Sequence, residues 1–505
     1  MDTTLRDGEQ TPNVSYTPSE KFQIAQLLLR DVNVDRIEIA SARVSQGEAE
    51  AVRRITAWAR KAGCLSRVEI LGYVDGRTSV DWIVENGGAV VNLLTKGSRH
   101  HCEQQLRLTP ERHFKDIAET VRYARKRRLT VNVFLEDWSA GVRDSFDYVF
   151  GHVSNLTGLG VKRIFLPDTL GNQSPDEAGR YVELMTRTWP GVHFEYHAHN
   201  DYGLAAANSI AAIRAGVRGL HTSVNGMGER AGNARLGEVV ASVNDLTECR
   251  TRVNEARLVA ISEMVATFSG RPVSENAPVV GRDVFTQTAG IHADGDSKAG
   301  LYANKLLPRR FGRRRRYALG KLAGKASVDQ NLRALGIKLL PENRDRLLER
   351  IVELGDKKHT VTAEDLPLII AEVLDRPDSE VFRIESYQIL SANDALPTAS
   401  LRLTYAGESI EARSDGDGGY DAFMKALARA ARKLDLKLPT LVDYKVRIPP
   451  GGRSGALVET TISWRRSARS QPFTTRGVDS DQLAAAVMAT EKMLNLIAGE
   501  RTRPK

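Results

Sequence analysis

The chain has 505 residues, 41% of them hydrophobic, and a formal charge of +9. That is enough apolar material for large cores and predicts roughly two to four domains. Cys64, Cys102 and Cys249 are widely spaced and form no CxxC pair, which excludes a disulfide framework and a thiolate zinc site and leaves reduced packing residues. No apolar stretch approaches the about 20 residues that cross a bilayer. The opening Met1-Asp2-Thr3-Thr4 is neither a signal nor a transit segment, so a cytoplasmic protein with no membrane partner is expected.

In chain order, a short β-rich run followed by an amphipathic stretch recurs eight times, the runs lying at 2–5, 34–39, 68–73, 90–94, 131–136, 163–166, 193–197 and 219–224. Helix-period apolar residues fill 19–30, 110–127 and 204–215 between them. This α/β pattern predicts a (β/α)8 TIM barrel over 1–250. Its first strand leaves at most five residues before Arg6, so either the barrel tolerates a clipped strand or the true start lies upstream of Met1. The polar residues at the run ends are Arg6, Asp7, Glu38, Glu136, Asp168, Thr169, His197, His199 and Asn225. A barrel brings all of those ends to one face.

From 251 to 375 the repeat gives way to a helical, loop-rich linker subdomain containing 281–300, the arginine run at 309–316 and a glycine-rich 320–325. The run is the place to look for nucleic-acid binding, but a charge run is more often a solvated face. A polyphosphorylated small molecule such as a coenzyme A thioester would suit it as well as DNA. With no zinc-finger spacing and no RNP-type aromatic motif, no nucleic-acid partner is expected. Beyond it, 376–505 holds two βββα units: strands at 382–390, 399–405 and 408–413 before a helix at 421–434, then 441–448, 456–464 and 472–477 before a helix at 480–497. Gly416-Asp417-Gly418-Gly419-Tyr420-Asp421 opens the first helix and would turn free N–H groups toward a ligand carboxylate.

The strongest chemical pattern is His197-Ala198-His199 at a strand end, because alternation along a strand turns both imidazoles to one face. With Asp7 they make a three-ligand site for a divalent ion, to which Asn233 could add an amide oxygen, with Arg6 alongside. Glu136 ends an apolar run at the barrel mouth, a setting suited to a general base; the competing reading makes it a structural partner of Arg6. His292 and Tyr302 fall outside the barrel, and the residues alone make them ordinary loop positions.

Four stretches, 2–10, 166–171, 197–201 and 225–233, closely resemble the motifs of the DRE-TIM metallolyase superfamily, and within it the 2-isopropylmalate, citramalate and homocitrate synthases. The terminal module is similar to that family's amino-acid-sensing domain, so the resemblance covers nearly the whole chain. It implies an acyltransferase that joins the acetyl-CoA methyl to a 2-oxo acid at a Mn, Mg or Zn ion, followed by thioester hydrolysis. It further implies a homodimer in which His292 and Tyr302 assist from a neighbouring subunit, with Thr169 holding the oxo acid's carboxylate. Leu71, Leu94 and Phe134 would leave a small greasy pocket matched to a methyl group, hence pyruvate and citramalate, with 2-oxoisovalerate as runner-up. Isoleucine, or leucine in the alternative case, is then the effector expected at Gly418, Gly419, Tyr420, Asp421 and Tyr444. Intact Arg6, Asp7, His197 and His199 oppose the remote alternative of a non-catalytic protein of the same fold.

Overall fold

Seven parallel strands pair in chain order in the first part of the chain: β1 (Ile37–Ser41), β2 (Val68–Tyr73), β3 (Val90–Lys96), β4 (Thr130–Glu136), β5 (Arg163–Asp168), β6 (His193–Ala198) and β7 (Gly219–His221). Helix α1 (Pro18–Gln26) precedes them, and α2 (Gln46–Lys61), α3 (Thr78–Glu85), α4 (Pro110–Lys126), α5 (Trp138–Asp144), α6 (Phe146–Gly158), α7 (Pro175–Thr188), α8 (Ala205–Arg214) and α9 (Leu236–Leu246) separate and follow them. The strands are buried nearly end to end, which is why they read as continuous apolar runs. The computed structural model describes residues 1–356, 361–374, 382–448, 458–467, 470 and 472–498.

The expected first strand at 2–5 is not a strand. Asp2 alone bridges Ile37 on β1 and Thr222 just past β7, closing the cylinder with one residue. The amides of Arg6, Asp7 and Gly8 then all return to the Thr3 carbonyl, at 3.1, 2.8 and 3.0 Å. The residues that would lengthen the strand are spent on the turn that carries Arg6 and Asp7. β7 is shorter than expected for a related reason, since after Thr222 the chain enters a 3-10 turn at Val224–Gly226.

Contacts divide the chain into two units, one of Met1–Phe285 with Ala303–Arg315 and one of Thr286–Tyr302 with Arg316–Lys505. The barrel unit therefore runs past the expected end at 250. Helix α10 (Leu258–Ser269) buries Leu258, Ile261 and Val265 in the barrel's own core, and Phe311 joins them, stacked on Phe285 at 5.7 Å. The arginine run is partly structural: Arg310 pairs with Asp245 at 2.8 Å and Glu255 at 2.6 Å, and Arg313 donates to the carbonyls of Gly281 and Arg282 at 2.7 and 2.6 Å. Arg309, Arg314 and Arg316 are exposed.

In the second unit, β8 (Thr286–Gln287) pairs with β9 (Arg316–Tyr317), and α11 (Gly290–Ala299), α12 (Lys325–Leu335), α13 (Pro341–Asp356) and α14 (Leu366–Val373) complete the helical part. The expected boundary at 375 lies outside the described residues. Two antiparallel sheets follow, β10 (Arg383–Leu390), β11 (Thr398–Tyr405) and β12 (Glu408–Asp415) before α15 (Gly419–Lys433), then β13 (Thr440–Arg447), β14 (Val458–Arg465) and β15 (Phe473–Asp479) before α16 (Gln482–Ala498). The first residues of the strand expected at 456–464 lie outside the described ones. The two βββα repeats share one core, in which Leu401, Phe423, Ile462, Trp464 and Met493 are buried. Among the described residues no helix is long and apolar enough to cross a membrane.

Candidate active site at the barrel mouth

Strand β6 delivers His197, and the backbone bridge between His199 and Asn233 fixes the next two residues beside the 226–233 loop. His197 Nε2 lies 3.4 Å from His199 Nε2 and 3.2 Å from Asp7 Oδ2, and all three residues are buried. A cation with bonds of about 2.1 Å spaces neighbouring ligand atoms about 3.0 Å apart in an octahedron and about 3.4 Å in a tetrahedron. Both distances from His197 match that spacing, and the three side chains offer ligand atoms within 4.8 Å of one another. Burial, helped by the neighbouring His197, lowers His199 to about 4, so its ring is neutral and able to bind a cation. Burial would raise the Asp7 carboxyl, but the Arg6 guanidinium and the imidazoles outweigh it and hold Asp7 well below its ordinary range.

Asn233 is oriented differently from the expectation. Its Nδ2 donates to Asp7 Oδ2 at 2.9 Å and to the Met227 carbonyl at 3.0 Å, while its buried Oδ1 has no partner among the described residues. In this orientation the side chain steadies the Asp7 carboxylate; a half-turn of the amide would exchange the two atoms. The loop reaches this position through Gly232, at φ 80°, where a Cβ would lie 1.8 Å from the Gly226 carbonyl oxygen.

Arg6 donates through Nε to Glu38 Oε2 at 2.5 Å, lies 3.4 Å from Asp7 Oδ1, and sits over the Phe134 ring at 5.5 Å. Glu38 in turn accepts from Asn92 Nδ2 at 2.7 Å, and Asn92 Oδ1 from Asn132 at 2.9 Å, so a polar line crosses the barrel from β1 through β3 to β4. Glu38, not Glu136, is therefore the partner of Arg6. Glu136 pairs with Lys96, directly opposite in the β3–β4 register, and its side chain is 26% exposed, so an ammonium and solvent replace the expected apolar surround. Thr169 Oγ1 accepts from the Asp137 amide at 2.8 Å, which leaves the hydroxyl able to donate to a ligand oxygen. Arg230 fixes the Thr169 carbonyl at 2.7 Å.

Leu71 and Phe134 form one apolar cluster with Phe165, against which Leu94 and Met1 pack. The Phe134 ring centroid is 4.6 Å from that of Phe165 and 6.0 Å from that of His197, so this wall borders the ligand cluster. Lys96, Asn92, Asn132 and Phe165 were not singled out from the sequence. Each is found through strand register, a non-local property that a single sequence carries only once neighbouring strands are aligned.

His292 and Tyr302 belong to the second unit, where their ring centroids are 4.3 Å apart. Gly295 permits this, since a Cβ there would lie 2.5 Å from Tyr302 Cε2. In the terminal module Gly418 is the N-cap of α15, with no side chain capping the helix, and Tyr420 on that helix meets Tyr444 of β13 at 5.1 Å. The Tyr420 hydroxyl bonds Thr490 Oγ1 at 2.6 Å, and Asp421 takes the Asp417 amide at 2.9 Å and pairs with Lys425 at 2.7 Å.

A family model described as HMGL-like matches residues 1–265, one described as a homocitrate synthase post-HMGL domain matches 279–359, and one described as a LeuA allosteric (dimerisation) domain matches 360–498. A protein named putative (R)-citramalate synthase from Methanopyrus kandleri is 36% identical, over 90% of this chain and 87% of its own. A probable 2-isopropylmalate synthase of the same organism is 35% identical over 99% of this chain and 98% of its own. The (R)-citramalate synthase of Methanocaldococcus jannaschii is 32% identical over 98% and 99%.

Proposed function

Because this chain belongs to the HMGL-like family, alongside (R)-citramalate and 2-isopropylmalate synthases that match nearly all of it, we propose that it condenses acetyl-CoA with pyruvate and hydrolyses the thioester, releasing (R)-citramalate and coenzyme A. The observation that carries this reading is the juxtaposition of three side chains able to hold a cation, a paired arginine and an apolar wall at one barrel mouth.

Asp7, His197 and His199, steadied by Asn233, are the residues to hold a divalent ion, Mn, Mg or Zn, which when bound supplies Lewis-acid polarisation of the 2-oxo acid. Arg6, kept in place by Glu38, offers N–H donors to the keto oxygen as charge develops there. Glu136 takes a proton from the acetyl methyl, and the carbon so freed attacks the keto carbon. Lys96 carries the counter-charge beside it. Thr169 donates to the substrate carboxylate. Leu71, Leu94 and Phe134, with Phe165 packed on Phe134, form a bulky apolar wall that supports a methyl over an isopropyl group as the substrate's tail. His292 and Tyr302, ring against ring, assist from a neighbouring subunit of a homodimer, and the match to a dimerisation domain supports that assembly. Isoleucine lowers activity by binding at Gly418, Gly419, Tyr420, Asp421 and Tyr444; the support is the tyrosine pair meeting at an uncapped helix start.

The 2-isopropylmalate synthase relative, 35% identical, makes 2-oxoisovalerate the competing substrate. Release of free coenzyme A with pyruvate, 2-oxoisovalerate, 2-oxobutyrate and 2-oxoglutarate in parallel decides. Because methylene-scale differences are worth about 1 to 3 kcal/mol, pyruvate is expected to lead in kcat/KM by about 10- to 150-fold. Preference for the branched acid would exchange the substrate and the effector for leucine's, and preference for the dicarboxylate would overturn both.

A further inference from the structure

Lys21 is fully buried on the inner side of α1, in the row of Ile24, Ala25 and Leu28, where periodicity calls for an aliphatic residue. Burying an ammonium there is costly unless every proton finds an acceptor. Its Nζ lies 3.0 Å from the Leu5 carbonyl, 2.6 Å from Glu9 Oε2 and 3.4 Å from the Ile39 carbonyl, and it also pairs with Glu48 in the first turn of α2. These positions are not arbitrary. Leu5 precedes Arg6, Glu9 follows Asp7 by two residues, and Ile39 follows Glu38.

We propose that Lys21 is a positioning residue that sets the Arg6–Glu38 pair by gripping both chain segments from behind. The need arises from the clipped first strand. Past the two bridges at Asp2, the segment bearing Arg6 and Asp7 is a turn with no ladder to hold it, whereas Glu38 sits in β1. The 2.5 Å contact between Arg6 Nε and Glu38 Oε2 depends on the spacing of these two backbones, and Lys21 spans it. Its Glu9 partner is itself fixed, accepting the Tyr16 amide at 2.8 Å through Oε1. A shift of about 1 Å at a transition-state donor costs on the order of 100-fold in rate.

This inference rests on the role proposed above for Arg6, and the test separates the two. In Lys21→Met, Mn2+ affinity is measured by electron paramagnetic resonance and turnover is expressed per Mn2+-loaded site, with pyruvate and 2-oxoisovalerate. Turnover per loaded site is expected to fall about 30- to 100-fold with KM for the oxo acid moving less than about threefold. Mn2+ affinity is expected to fall about tenfold or more, because Asp7 lies in the gripped segment. Turnover per loaded site within twofold of wild type overturns the proposal whatever the melting temperature does. If Lys21→Met does not fold, Glu9→Gln decides: it keeps an oxygen for the Tyr16 amide, and an unchanged turnover per loaded site overturns the proposal, whereas a loss of about three- to tenfold supports it. Should the wild type turn over none of the oxo acids, the functional reading falls and the Mn2+ arm alone decides for Lys21.

Discussion

The barrel mouth and the terminal module are built from opposite materials. Within the ends of a few strands the mouth gathers Arg6, Asp7, Glu38, Lys96, His197 and His199, all at most about a tenth exposed, and answers each charge with another or with an amide. The module sets one tyrosine against another at a helix start, and its charged member, Asp421, is 43% exposed and tied to a lysine one turn on. Buried charge survives only when fully matched, and removing one partner of a buried pair strands the other at a cost of about 3 to 5 kcal/mol. Substitutions at the mouth should therefore break more than they remove, and those in the module should subtract one contact.

The largest effect is expected at His197. His197→Ala should lose bound metal on elemental analysis and at least about 10³-fold in turnover, since the ion and its polarising charge go together. Retained metal with normal turnover would remove the mouth's side of the comparison altogether. Arg6→Lys comes next. An ammonium cannot keep the Nε contact to Glu38 and still present a fork to substrate, so kcat should fall by about 10²- to 10³-fold while KM moves far less. A loss confined to KM would mean that Arg6 only binds.

The same contrast explains what could be read from the chain alone. The module was legible almost element by element, because period-two runs and amphipathic helices are local patterns; α15 was expected at 421–434 and lies at Gly419–Lys433. At the mouth the pairing of His197 and His199 on one face was legible for the same reason, a strand end placing them two residues apart. The partners were not. Glu38 and Lys96 acquire their roles from register across β1, β3 and β4, Asp2 does a strand's work through two long-range bridges, and Lys21, a charge in the apolar row of α1, finds its four acceptors elsewhere in the chain. The packing of α10 onto the barrel, beyond the expected end at 250, is likewise a tertiary event with no local mark.

Smaller effects sharpen the comparison. Leu71→Ala opens the apolar wall, and within the range of about 1 to 3 kcal/mol for such changes it should raise kcat/KM for 2-oxoisovalerate relative to pyruvate by about tenfold. An unmoved ratio would take Leu71 off the pocket wall. In the module, Tyr420→Ala should raise the isoleucine concentration that halves activity by about tenfold, as expected for one lost aromatic contact. Isoleucine inhibition that is indifferent to this change would place the effector elsewhere.

Acid should separate the two regions most finely. Behind β3 and β4, His113 and His152 are buried, and burial lowers them from 6.5 to about 4 and about 3. The folded barrel thus refuses protons that the unfolded chain accepts at its ordinary value. Stability from these residues is level above about pH 6.5 and falls as pH drops toward 4, by up to about 1.36 kcal/mol per pH unit for each histidine. The module has no such liability, because the last histidine of the chain is His359. Its half-buried Glu491 is shifted upward by partial desolvation, so the stability tied to that carboxyl is present at low pH and lost as pH rises. Urea unfolding of the full chain in EDTA at pH 7, 6 and 5 should show the barrel transition moving to lower urea with acid. His152→Met should flatten that dependence by about one proton. If the slope is the same with and without His152, the buried imidazole is not what acid titrates.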